Sequence, residues 1–242
     1  MNFRAYSIHP ELSDFIAFEA GRAKILVRRG YQESADRLIG DGDFSGETVS
    51  GGRAAHPLVE LPGGERAVVR EYQRGGAMRH INRARYFAGH RAFAELHATE
   101  RARCGGVRVP LVLAAVERRE RFGYTAALST LWIPDAASLV SHLIAADAIA
   151  RAAVMEDAGR EIARMHAAGV AHPDLNLNNI LVATAVHLLD FDSARLYEGA
   201  VPAARRARDL ERLARSARKL KAPIGPREWD ALRKGYGDDW PL

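Results

Sequence analysis

Residues 172–182, HPDLNLNNILV, set one carboxylate (Asp174) and three side-chain amides (Asn176, Asn178 and Asn179) at the mouth of an apolar run. A second acidic segment, LLDFD, follows at 188–192 and carries Asp190 and Asp192. The apolar runs 180–183 and 186–189 are two residues apart, the spacing of a short antiparallel hairpin with Thr184-Ala185 as its turn. That pairing predicts Asn179 directly opposite Asp190, with backbones about 5 Å apart. Thr-Ala is poor chemistry for a tight primed turn, and a longer loop would shift the pairing by about one residue. A carboxylate in a loop, an amide five residues on, and a second carboxylate brought beside that amide suit phosphoryl transfer from a nucleotide. The first carboxylate accepts a hydroxyl proton, while the amide and the second carboxylate offer hard oxygens to magnesium on the phosphates.

Each residue also has a structural reading. His172 is expected to pack and hydrogen-bond behind the loop. Asp174 is a possible turn cap, Asn176 and Asn178 can bridge loop backbone, and Asp192 can cap the next turn.

The elements that must position these groups follow from pattern. The first third is strand-like and rich in glycine. Residues 22–29 read as one strand, and 58–73 as two strands joined through Pro62-Gly63-Gly64. A helical pattern runs from Arg83 to about Arg103, ends at Gly105-Gly106 and is followed by Pro110. Residues 125–134 read as a strand and a connector. Residues 147–168 repeat apolar positions at Ile149, Val154, Ala158, Ile162 and Met165, a buried helix stopped by Gly169.

Composition narrows the class. The 242 residues are enough for one domain of two lobes or for two small domains. Apolar stretches are interrupted well short of the roughly 18 residues of a membrane span, and the start MNFRAYSIHPEL has no apolar signal-peptide core, so a cytosolic location is expected. The single cysteine, Cys104, excludes an internal disulfide and a thiolate metal site, leaving oxygen as the metal ligand. The net charge is +5, concentrated as arginine in 70–91 and 205–221, which implies anionic partners such as lipid headgroups or phosphorylated substrates. A nucleic-acid role is not expected, because neither interleaved aromatics nor a recognition motif accompanies the charge.

HPDLNLNNIL followed by LLDFD resembles the catalytic loop and metal-binding segment of the protein-kinase fold, H-R-D-L-x-x-x-N and then D-F-G. The resemblance implies an α+β, bilobal protein-kinase-like fold: a small N-terminal antiparallel sheet lobe and a reduced, mainly helical C-terminal lobe. The expectation is a single kinase-like domain over 1–242, with approximate lobes 1–131 and 132–242. AVVR (67–70) aligns with the V-A-I-K strand, so Arg70 stands for its lysine, and Glu95 falls where the partner glutamate is carried, with Glu100 as its rival. SGGRAA (50–55) is the expected phosphate-covering loop through Gly51 and Gly52. More narrowly, VVREYQRGGAMRHINRARYF, HPDLNLNNILV, LLDFDSAR and DLERLARSARKL together resemble the 3-deoxy-D-manno-octulosonic acid (Kdo) kinases of the lipopolysaccharide kinase family, over roughly 45–221.

That resemblance implies transfer of the ATP γ-phosphate to the 4-hydroxyl of Kdo on lipid A, by an enzyme peripheral on the cytoplasmic face of the inner membrane and facing its anionic surface. ATP and Mg2+ are the expected cofactors. Asp174 is the expected base, Asn179 and Asp190 the metal ligands, and Arg70 the phosphate partner held by Glu95. Adenine is expected near Leu131 and Ile133, and Asn176 stands where most kinases steady the γ-phosphate with lysine. Pro173 replaces the arginine of H-R-D, Asp192 replaces the glycine of D-F-G, and only about 50 residues follow Asp192, which argues against regulated protein phosphorylation. Another small-molecule kinase of heptose or aminoglycoside type, and a nucleotide-binding pseudokinase, are the alternatives.

Overall fold

A computed structural model of the chain describes residues 9–40, 47–51, 54–72, 90–121 and 124–241. Its contacts gather the chain into two compact units, Met1–Glu100 with Leu111–Trp132, and Arg101–Pro110 with Ile133–Leu242. The segment Arg101–Pro110, expected with the first lobe, therefore belongs to the second unit.

The first unit contains β1 (Phe15–Ala20), β2 (Ala23–Arg28), α1 (Ala35–Leu38), β3 (Thr48–Gly51), β4 (Ala54–Glu60), β5 (Arg66–Glu71), most of α2 (Arg91–Cys104), β6 (Val112–Arg119) and β7 (Tyr124–Leu131). The strands form one antiparallel sheet in the order β1-β2-β6-β7-β5-β4-β3. Alternation along each strand sorts side chains onto its two faces. Leu26, Ala115, Ala126 and Leu128 join Phe93 and Leu96 of α2 in one cluster. Their strand neighbours Ile25, Val27, Ala114, Val116 and Ala127 join Leu38 of α1 in the other. The expected β4–β5 turn is present, closed by Leu61 N–H to Glu65 O at 2.8 Å. Gly63 and Gly64 take φ of 92° and 84° there, a region that β-carbons disfavour. The Arg83–Arg103 helix is seen from Arg91 onward, and residues 83–89 lie outside the described ones.

The second unit is mainly helical: β8 (Ala137–Ser138), α3 (Leu139–Ala145), α4 (Ala148–Ala167), β9 (Val170–Ala171), β10 (Ile180–Val182), β11 (Val186–Leu188), β12 (Arg195–Leu196), α5 (Ala203–Lys219) and α6 (Pro226–Tyr236). Helix α4 begins where Asp147 caps it, its Oδ1 accepting from Ile149 N at 2.9 Å and Ala150 N at 2.8 Å. It ends where Gly169 adopts φ 77°. Val154, Ala158, Ile162 and Met165 are buried as expected. Ile149 is not: it is 72 % exposed, because it lies in the first turn and the buried face of α4 starts only at Val154. No helix among the described residues is long and apolar enough to cross a membrane.

Helices α4 and α6 meet almost backbone to backbone. A β-carbon on Gly159 would lie 2.1 Å from the Leu232 carbonyl oxygen, and one on Gly235 would lie 1.9 Å from that of Glu156. Above this crossing His166 is buried between Tyr236 and α5. Its Nδ1 is 2.7 Å from the Tyr236 hydroxyl and its Nε2 is 3.4 Å from Asp209 Oδ2. Burial pushes the His166 imidazole below its ordinary pKa, more strongly than the Asp209 carboxylate raises it.

Two outcomes follow from this packing. Gly159→Ala forces the helices apart and is expected to lower stability by about 1–3 kcal/mol, read as a lower denaturation midpoint; an unchanged midpoint would contradict the close crossing. Because the unfolded imidazole takes up a proton near pH 6.5 and the folded one resists, the His166 contribution is complete above about pH 6.5 and is lost as pH falls below it. His166→Gln should flatten the fall in unfolding free energy between about pH 7.5 and 5.5, and an unchanged slope would show that His166 does not set it.

Candidate active site

The loop that follows α4 is held by side-chain bonds to backbone together with a few backbone turns. Strand β9 is anchored by antiparallel pairing with β12, Ala171 opposite Arg195 and Val170 opposite Leu196. The chain then leaves regular structure, so its amides need other partners. The His172 N–H donates to Asp209 Oδ2 at 2.6 Å, and the His172 Nε2–H donates to Leu189 O at 2.9 Å. The Leu177 N–H donates to Ser216 Oγ at 3.2 Å. Asn176 accepts from Asn178 N at 3.0 Å while its Nδ2 donates to Asp174 O at 2.8 Å. Asn179 Nδ2 donates to the same carbonyl at 3.1 Å.

The result is a clamped peptide with a projecting side chain. The Asp174 carbonyl is held by two amides, and its carboxylate, 51 % exposed, meets Arg212 Nη2 at 2.7 Å through Oδ1. With the Asn179 nitrogen committed to Asp174, its amide oxygen is directed away as an acceptor, the orientation a hard-cation ligand needs. Asn176 spends both ends of its amide inside the loop, so it shapes the backbone here and has little left for a nucleotide.

The hairpin beside the loop differs from expectation by one residue. Ile180 pairs with Leu188, Leu181 with His187 and Val182 with Val186. The turn therefore spans Ala183-Thr184-Ala185, and Asn179 faces Leu189, whose N–H donates to Asn179 O at 2.9 Å. A two-residue primed turn needs positive φ at one or both central positions, which threonine and alanine resist; none of these three residues has it. Asp190 comes one step later, in the left-handed region at φ 65° and ψ 61°, half-buried at the end of the strand. The hairpin is fastened to α4 by Asp157, which accepts from Val186 N at 3.0 Å and pairs with Arg108 at 2.5 Å. Burial alone would raise the Asp157 pKa, but the Val186 amide and the Arg108 guanidinium outweigh it and hold it below the ordinary value.

In the first unit, Arg70 on β5 forms an ion pair with Glu95 on α2, and the Tyr72 hydroxyl donates to the other oxygen of Glu95. The Arg70 guanidinium lies 5.1 Å from the Tyr72 ring centre. Glu95 is only 2 % exposed, so this neutralising pair is what makes its burial tolerable. Glu100 is engaged elsewhere, 2.5 Å from Arg28. Gly51 ends β3 opposite Ala54, and Gly52 lies outside the described residues. Leu131 closes β7, its N–H donating to Leu111 O at 2.8 Å, and Ile133 opens the second unit; both are half-buried.

Sequence reasoning missed Tyr72, Asp209, Arg212 and Ser216. The signal was present: Asp209, Arg212 and Ser216 are spaced i, i+3, i+7 along DLERLARS, one helix face, and Tyr72 follows Arg70 by the strand period.

Comparison with known proteins adds to this geometry. The model of the "Lipopolysaccharide kinase (Kdo/WaaP) family" matches residues 58–236. A "3-deoxy-D-manno-octulosonic acid kinase" of Xanthomonas oryzae pv. oryzae (strain PXO99A) is 40% identical over 202 residues, covering 81% of this chain and 77% of that protein. Another of the same name, from Xanthomonas axonopodis pv. citri (strain 306), is 39% identical over 227 residues, covering 89% and 87%. A solved structure described as "WaaP in complex with acyl carrier protein" superposes with a TM-score of 0.59 at 19% identity, over 88% of each chain, which establishes the shared kinase-like fold. A family match over residues 58–236 and relatives about 40% identical over four fifths of the chain place this protein in the lipopolysaccharide kinase (Kdo/WaaP) family.

Proposed function

We propose that the protein transfers the γ-phosphate of ATP to the 4-hydroxyl of a Kdo residue on lipid A, a step of lipopolysaccharide inner-core biosynthesis. The observation that carries this reading is the Asp174 loop. Its backbone is immobilised by Asn176 and Asn179 while its carboxylate projects to solvent, the arrangement a proton acceptor for an incoming hydroxyl requires. The curated relatives named as Kdo kinases support the choice of acceptor.

In this reading each residue has one task. Asp174 orients the sugar hydroxyl and accepts its proton as that oxygen attacks in line. Arg70, held by Glu95 and Tyr72, pairs with the nucleotide phosphates, and its planar fork suits them bidentately. The Asn179 amide oxygen and the Asp190 carboxylate are the hard donors for Mg2+, which when bound would neutralise charge on the phosphoryl group. Gly51 and Gly52 cover the phosphates, and Leu131 and Ile133 contact adenine. Asn176 supports the loop from within. The reading places the enzyme at the cytoplasmic face of the inner membrane, where a chain of net charge +5 meets an anionic surface.

Asp174→Ala is expected to lower transfer of labelled γ-phosphate to Kdo-bearing lipid A by about 10²–10⁴-fold with no loss of thermal stability. Asn179→Ala is expected to raise the Mg2+ concentration needed for half-maximal rate. Wild-type turnover in Asp174→Ala would remove the base from this residue, and magnesium-dependent transfer to a heptose but not to Kdo would move the acceptor elsewhere within sugar kinases.

A further inference from the structure

Arg212 stands apart from the other supports of the loop. Asp209, Ser216, Asn176 and Asn179 all bond to backbone. Arg212 alone bonds the carboxylate proposed to take the proton, Nη2 to Asp174 Oδ1 at 2.7 Å. A guanidinium carries five N–H donors in a planar fork. Among the described residues Arg212 makes no other hydrogen bond, and its side chain is 33 % exposed beside a carboxylate that is 51 % exposed. The outer edge of the guanidinium is therefore open to solvent, next to the point where the acceptor hydroxyl must arrive. The adjacent cation on the same helix, Arg215, is turned to Glu211 at 3.7 Å.

We infer that Arg212 is the residue that reads the acceptor's acid: one edge of its guanidinium stays on Asp174 while the other binds the carboxylate of the sugar. The inference rests on the Kdo reading above. Kdo is a sugar acid whose carboxylate is borne by the ring carbon two positions from the one carrying the 4-hydroxyl. A single guanidinium bonded to both carboxylates sets that hydroxyl against Asp174, and the bidentate geometry available to arginine and not to lysine makes the alignment directional. A neutral sugar of the same shape would leave the open edge of Arg212 unpaired and would lack this alignment. The loop thus selects an acidic sugar through the residue that also holds its base, with no movement of the protein required.

The test compares two acceptors and three enzymes. The acceptors are Kdo-bearing lipid A and the same lipid with the Kdo carboxylate converted to its methyl ester; the enzymes are wild type, Arg212→Gln and Arg212→Lys, with thermal melting to verify folding. Wild type is expected to prefer the acid by about 10–100-fold in kcat/KM, the size of one charge-assisted bidentate contact. Arg212→Gln should lose activity on the acid and bring the acid-to-ester ratio near one, and Arg212→Lys should give an intermediate ratio. A preference for the acid that survives undiminished in both variants, or a wild type indifferent to esterification, would overturn the inference while leaving the Kdo reading intact. A wild type that phosphorylates neither lipid would overturn the Kdo reading, and this inference with it.

Discussion

The loop that carries Asp174 depends on one buried carboxylate. Asp209, 1 % exposed in the middle of α5, takes the backbone N–H of His172 at 2.6 Å and stands 3.4 Å from the His166 imidazole. An acid taken out of water needs polar partners, and here those that reach Asp209 Oδ2 come from the end of α4 and from the start of the loop that carries Asp174. The His172 N–H contact to Asp209 Oδ2 therefore fixes where the loop leaves β9. His172 passes the constraint on by donating to Leu189 O, one residue before Asp190. A helix, a loop and a hairpin are thereby held in register by hydrogen bonds rather than by apolar packing alone, which suits a segment that has to expose polar groups at fixed positions.

The density of asparagine at 176–179 has the same origin. Regular structure supplies backbone partners automatically, and this segment has only a single 3₁₀ turn. Two amide side chains converge on the Asp174 carbonyl and one accepts from Asn178 N, so side chains do here what a ladder does in a sheet. The first unit solves a parallel problem with charge: Arg70 near the end of β5 and Tyr72 just beyond it share the buried Glu95 of α2. In both places a polar side chain is held by directional hydrogen bonds and charge as well as by packing.

Local features were legible in the sequence and long-range ones were not. The β4–β5 turn and the glycine stop at Gly169 each depend on a few neighbouring residues, strand-like and helical stretches followed from pattern, and the antiparallel sheet lobe with its helical partner followed from the kinase resemblance. The hairpin register missed by one because turn length depends on backbone strain at Thr184 and Ala185, which apolar periodicity does not encode. Asp209 and Arg212 lie 37 and 38 residues from their partners, so their shared helix face could be read from the sequence but not what it meets. The place of Gly159 and Gly235 is explained only by the approach of α4 to α6, which no local pattern encodes. Ile149 fitted the apolar repeat of α4 but precedes the turn at which that helix becomes buried.

The central claim is that phosphate leaves ATP for one hydroxyl of Kdo, and the position of phosphate in the product tests it most directly. Lipid recovered after incubation with ATP and magnesium should show, in a proton–phosphorus correlation spectrum, a new phosphate monoester coupled to the proton on carbon four of Kdo. A phosphate coupled to a proton of any other sugar, or the release of inorganic phosphate with unmodified lipid, would contradict the account.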